Sequence, residues 1–172
     1  IFLDTETTGM SQATDRIVEV CAIEVDDDFN EIDSFHAFIN PQRKVPWFVT
    51  RIHGLNNEFL DDKPIFSDIG RDLLLFLEES ELWAHNMSFD AGMLNAEFAR
   101  NRLPTLEKVD CRLNCTLQLA RSTFPGQKNS LDALLDRFAI DRSERRLHGA
   151  MIDTRLLVKV YQNLVSYRTK TS

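Results

Sequence analysis

A chain of 172 residues with 43% apolar side chains and a net charge of −7 is long enough to bury one sizeable core. It is too acidic to coat duplex nucleic acid through a broad basic face, because such binding needs Lys and Arg against phosphate. No apolar run approaches the roughly 20 residues of a membrane-spanning helix, the opening Ile1-Phe2-Leu3-Asp4 lacks the marks of a signal peptide, and Cys21, Cys111 and Cys115 are too sparse for a zinc site. The expectation is a soluble, cytoplasmic protein with reduced thiols and no membrane partner, folded as a single domain over 1–172.

Taken in chain order, Ile1 to Asp4, Arg16 to Val25 and Ile32 to Asn40 are apolar or alternating stretches that predict three strands in a meander. Asp26-Asp27-Asp28 forms a solvated turn between the last two. If the first strand continues through Glu6, Asp4 and Glu6 project from one face of the sheet. Such neighbours repel unless a proton or a cation lies between them, and magnesium and manganese favour hard oxygen ligands of this kind. The plainer alternative is a solvated Asp-x-Glu at a strand end.

From Ser67 onward Ile69, Leu73, Phe76 and Leu77 share one helical face, and Leu82-Trp83-Ala84-His85 reads as a further strand. Ser88 is the expected N-cap of a helix from Phe89 to Arg100. Asp90, in its first turn, is either a partner of the helix dipole or a functional group at a strand-to-helix junction. Asn129 or Ser130 caps a helix from Leu131 to Phe138. A long helix from about Ala150 to Val165 carries Ala150, Leu157, Val160, Tyr161 and Leu164 as its apolar stripe.

Asp153 falls on that stripe. A carboxylate facing inward needs a metal, a cation or several donors, unless it sits at the stripe's edge and uses the helix dipole. His148 comes five residues earlier, which on a helix would turn it about 140° away. For both to serve one site, His148 has to lie on the preceding loop, with Gly149 supplying the bend. Strands followed by helices imply an α/β or α+β layer structure around one mixed sheet; the pattern does not disclose the strand order.

Read together, Leu3-Asp4-Thr5-Glu6-Thr7-Thr8-Gly9, His85-Asn86-Met87-Ser88-Phe89-Asp90 and His148-Gly149-Ala150-Met151-Ile152-Asp153-Thr154 resemble the three motifs of the DnaQ-like 3′-to-5′ exonuclease superfamily, in the family's order. The His-to-Asp spacing of the third motif is similar to that of the DEDDh branch. Within it, Phe124-Pro125-Gly126-Gln127-Lys128-Asn129-Ser130-Leu131, Leu147-His148-Gly149-Ala150 and Ile52-His53-Gly54-Leu55 resemble the proofreading epsilon subunits of bacterial DNA polymerase III.

The resemblance implies a ribonuclease H-like α/β fold with a central mixed sheet flanked by helices, and metal-dependent hydrolysis of terminal phosphodiesters. It implies two divalent cations, Mg2+ or Mn2+, with Asp4, Glu6 and Asp153 around one and Asp4, helped by Asp90, around the other. His148 would take a proton from the attacking water, a role suited to an imidazole. Thr5 to Thr8 would hold the terminal nucleotide through the backbone, Met10 would wedge against its base, Phe89 would offer a stacking surface, and His53 would reach the phosphate or sugar. Each has a bland alternative, incidental packing for Met10, core packing for Phe89 and a capped turn for His53.

The implied substrate is a single-stranded DNA 3′ end, with RNA as the alternative because ribonuclease T and oligoribonuclease resemble the same branch. Outside the enzyme class, an inactive nucleic-acid-binding module of the same fold is the competing reading. The implied partner is the polymerase III alpha subunit, reached through a C-terminal tail that would lie beyond Ser172. One position departs from the pattern. Phe48 stands five residues before His53, where epsilon-like chains have a Glu near the terminal sugar.

Overall fold

The computed structural model describes residues 1–171. Its sheet runs in the order β3-β2-β1-β4-β5, with β1 (Phe2–Thr7), β2 (Ile17–Val25) and β3 (Glu31–Phe38) as the antiparallel meander. β4 (Glu81–Ala84) and β5 (Arg112–Cys115) then add in parallel beyond β1, so the sheet is mixed. Every residue of β2 from Ile17 to Ile23 is buried, as expected of an inner strand covered on both faces. Asp26 accepts hydrogen bonds from the backbone of Asp28 and Asn30, which holds the exposed acidic turn.

Alternation along β1 decides what each face receives. Leu3 points with Val20 and Ala22 into the main core, against α3 (Phe66–Leu77) and α4 (Met87–Arg100). On the opposite face Phe2, Cys21 and Ile23 pack against Ala150, Leu157 and Val158 of α7 (Ala150–Thr171). A period of two then sends Thr5 toward α4, and Asp4 and Glu6 toward α7. The last helix extends past Val165, where the sequence reading ends it, and α5 (Thr116–Thr123) and α6 (Leu131–Arg137) pack against its outer stripe.

Three further short elements go unannounced by periodicity. They are α1 (Trp47–His53), α2 (Asn57–Asp61) and a 3-10 turn over Leu106–Val109, and with β5 and α5 each spans too few residues for a period to emerge. Ser88 is not the N-cap. Asn86, left-handed at φ 77°, ends β4's turn and α4 starts at Met87; Asn tolerates that conformation because its short polar side chain bonds locally, here to the Ser88 hydroxyl.

Gly149 is likewise not the bend. Its φ is ordinary and its carbonyl already accepts the Asp153 N–H at 2.9 Å, as the first link of α7. The conformation only glycine adopts easily belongs to Gly54, at φ 80°, which closes α1 beside Leu147; a Cβ there would stand 2.6 Å from Leu147 Cδ1. The backbone His148 N–H donates to Ile52 O at 3.1 Å, so the loop before α7 is tied to α1. Among the described residues no helix is long and apolar enough to cross a membrane, and the three cysteines are free thiols.

Candidate active site

β1 carries Asp4 and Glu6 on the face covered by α7, and Asp153, in that helix's first turn and 4% exposed, comes down onto them. Asp90 arrives from the other side. It is 2% exposed, and its Oδ1 accepts both the Thr5 N–H at 3.1 Å and the Thr5 hydroxyl at 2.8 Å. Asp90 therefore fastens α4 to β1 beside Asp4 while also meeting its own backbone N–H in the first turn of α4, and the alternating strand lets one site draw acids from both layers.

His148 is on the loop, as the five-residue spacing to Asp153 requires. Its Nδ1 lies 3.4 Å from Asp153 Oδ2, and one ligand atom each of Glu6, His148 and Asp153 fall within 4.8 Å of one another. The acids perturb one another strongly. Burial, then Asp90, Glu6, Asp153 and Glu19 in turn, hold the Asp4 carboxyl well above the usual carboxylate range. Burial, followed by the charges of Asp153, Glu19 and Asp90, pushes Glu6 up to about 8 against a smaller opposing pull from Arg145. Burial raises Asp90 to about 7 in spite of its two bonds from Thr5. Burial joined by neighbouring charge raises carboxylates in this way, and a cluster of hard oxygen donors suits magnesium or manganese.

Two site residues escape the sequence reading. Glu19, 4% exposed, faces Glu6 across the β1–β2 ladder; its Oε1 lies 2.8 Å from His36 Nε2 and its Oε2 accepts the Ala150 N–H at 3.0 Å, at the start of α7. The available signal was an acid inside the otherwise apolar run from Ile17 to Ile23. Arg145 leaves no such signal, being one of several cations between Arg142 and Arg146. Its guanidinium reaches Asp153 through Nε to Oδ1 at 2.5 Å and Nη2 to Oδ2 at 2.9 Å, His148 Nδ1 through Nη2 at 2.9 Å, and Asp132 through Nη1.

The remaining candidates divide. His53 is 5% exposed, and its Nδ1 accepts the Leu55 N–H at 3.0 Å. Its Nε2 lies buried near the Thr7 backbone without a well-formed hydrogen bond. Burial holds its pKa below the ordinary imidazole value, ahead of the opposing Thr7 backbone and Glu19. Met10 is 77% exposed on the turn after β1. Phe89 packs against the main core. Thr8 is buried with its N–H bonded to Arg16 O and its hydroxyl to Asp15 and the Arg16 N–H; the structure assigns it to the turn, because no donor is left over for a nucleotide. Thr5 spends its N–H and hydroxyl on Asp90. His85 of the second motif stays apart from the acids, bridging Thr116 and the Asn129 carbonyl.

The family model described as "Exonuclease" (RNase_T) matches residues 1–161. A DNA polymerase III subunit epsilon of Rickettsia conorii is 46% identical over 175 aligned positions, covering 98% of this chain and 74% of the relative. Among solved structures, exonuclease X in complex with 5′ overhanging duplex DNA superposes with a TM-score of 0.73 at 26% identity, over 96% of this chain and 90% of that one. E. coli exonuclease I in complex with a dT13 oligonucleotide shares the fold, with a TM-score of 0.85 at 18% identity over 99% of this chain and 41% of that one. With the four acids and the histidine gathered at one end of a ribonuclease H-like sheet, this chain belongs to the exonuclease family, among the DNA polymerase III epsilon subunits, and is a 3′-to-5′ exonuclease.

Proposed function

We propose that Asp4, Glu6 and Asp153 hold one divalent cation and Asp4, aided by Asp90, a second, Mg2+ or Mn2+, for hydrolysis of the terminal phosphodiester of a single-stranded DNA 3′ end. The observation that carries this reading is the crowding of buried acids, with Asp4 and Glu6 raised first by burial and then by the charges of their neighbours. When bound, paired cations of this type activate the attacking water and stabilise the leaving 3′ oxygen. The residues then have distinct tasks. Thr5 fixes Asp90 through two bonds, and Glu19 fixes the first turn of α7, and with it Asp153, through the Ala150 N–H.

His148 is the proton acceptor in this reading. Once Nδ1 carries the proton and turns it to Asp153 Oδ2, 3.4 Å away, the lone pair on Nε2 is free to take a proton. His53 has its Nδ1 committed to Leu55 and its Nε2 buried near the Thr7 backbone, so a contact with a phosphate or sugar oxygen requires that nitrogen to be uncovered first. Met10 is exposed enough to meet the terminal base. At Phe48, which is 57% exposed on α1, a ring replaces the hydrogen-bonding acid usual in epsilon-like chains.

The test is degradation of 5′-labelled single-stranded DNA and RNA with Mn2+ or with a chelator. Stepwise shortening of the DNA from its 3′ end with Mn2+, and none with the chelator, is the expected result. Preferential loss of RNA would move the substrate to the ribonuclease class, and metal-independent cleavage would overturn the two-cation reading. The polymerase III alpha subunit is the proposed protein partner, in keeping with the relative's name.

A further inference from the structure

Resting on the metal-site reading of Asp153, we infer that Arg145 is a positioning residue that acts as an internal latch, a cation that a metal ion has to displace from Asp153 before the site is competent. The guanidinium is 7% exposed and takes both oxygens of Asp153 in a two-pronged contact. Planar bidentate pairing is the strongest form of charge-assisted hydrogen bond. It covers the carboxylate that a cation would use. A divalent ion binding there has to break two charge-assisted bonds, so its apparent affinity is the intrinsic affinity lowered by the strength of the latch.

The same guanidinium controls His148. Nη2 donates to Nδ1 at 2.9 Å, which makes Nδ1 an acceptor and leaves the neutral ring's proton on Nε2, the nitrogen that would have to receive one. When Arg145 withdraws, Nδ1 takes a proton from solvent and turns it to Asp153 Oδ2, 3.4 Å away, while the half-exposed ring gives its Nε2 proton to solvent, so Nε2 gains its lone pair. One movement thus frees the metal ligand and sets the base.

A second berth for the arginine already exists. Nη1 of Arg145 bonds Asp132, a half-exposed acid in the first turn of α6 that also pairs with Arg142 at 2.6 Å. Arg145 can therefore leave Asp153 without losing its counter-ion. Its loop joins α6 to α7 and continues directly into His148 and Gly149, so the withdrawal needs no change in the sheet.

The experiment is titration of the folded protein with Mn2+, read by melting temperature and by calorimetry, in the wild type and in Arg145→Gln, Arg145→Lys and Asp153→Asn. Arg145→Gln should melt lower in chelator and reach its half-maximal shift at an Mn2+ concentration at least roughly tenfold lower, since even one hydrogen bond to a charged group is of that scale and two are lost. Arg145→Lys keeps the charge but not the fork, and its midpoint should move in the same direction. A midpoint that shifts in Gln but not in Lys would reduce the effect to net charge and overturn the latch, as would an unchanged or higher midpoint in both. An Asp153→Asn variant that responds to Mn2+ like the wild type would instead remove the metal-site reading, and the latch with it.

Discussion

On the α4 side of the sheet Glu97 is 1% exposed, with Oε1 held by Arg16 Nε at 2.7 Å and the Ile17 N–H at 3.2 Å, and with Arg100 3.6 Å away. At the end of β1, burial followed by the charges of the neighbouring acids Asp90, Asp153 and Glu19 raises the pKa values of Asp4 and Glu6, and Arg145 is the guanidinium among them. Both clusters remove carboxylates from water. In the first the charges and donors that compensate Oε1 are built into the fold, so the acid joins a helix to a strand, although the buried Oε2 has no hydrogen-bond partner among the described residues. In the second the acids outnumber their cation, and the fold carries repulsion that an added cation or protons would relieve. A buried acid supplied with cations and donors supports the structure, whereas buried acids left in excess of their cation point to chemistry.

The sharpest way to break that contrast is to delete one of the crowded acids. Asp4→Ala or Glu6→Ala should reduce hydrolysis to background while the melting temperature in chelator holds or rises, since repulsion is removed with the side chain. Near-normal turnover at saturating Mg2+ would take β1 out of the catalytic centre. Next in size is His148→Ala. Turnover should fall by roughly two to four orders of magnitude, the usual contribution of a positioned general base, with the calorimetric metal affinity retained. Loss of affinity as large as in Asp153→Asn would make His148 a ligand instead.

The opposite behaviour is expected at the paired acid. Glu97→Gln should lower the unfolding free energy by about 2 kcal/mol, the scale of hydrogen bonds to a charged group, with turnover per folded molecule unchanged. Denaturant unfolding alongside a single-turnover assay measures both, and a stable but inactive variant would contradict the division.

The smallest effect is a pH slope. Glu6 in the folded protein titrates at about 8 against an ordinary 4.5, and Asp90 at about 7 against 3.8. Across that window the folded state binds more protons than the unfolded chain, so stability falls as pH rises. Melting temperature in chelator should therefore decline from about pH 5 to about pH 8, with the loss completed as pH passes the folded pKa values, and Glu6→Gln or added Mn2+ should flatten the decline. A flat profile in the wild type would mean that the acids are not crowded in solution.

Much of this site was legible beforehand because its members sit at element boundaries that local rules mark. Asp4 and Glu6 share a face by strand alternation, Asp153 interrupts an apolar helical stripe, and the spacing to His148 excludes a shared helix face. The same rules misplace the N-cap at Ser88 and the bend at Gly149, since Asn86 and Gly54 take the left-handed positions for reasons of chain path. They are silent on α1, α2, β5 and α5, whose few residues carry no measurable period.

The sequence by itself determined the meander, the long helices, the five members of the candidate catalytic set and the family, because periodicity and motif spacing are properties of the local chain. The tertiary structure alone decided the strand order, the use of Thr5 to hold Asp90 across the sheet, and the arrival of Glu19 and Arg145 in the site. These depend on contacts between residues as far as 131 positions apart, as between Glu19 and Ala150. Such contacts form only when the two layers close over β1, and a one-dimensional pattern holds no term for them.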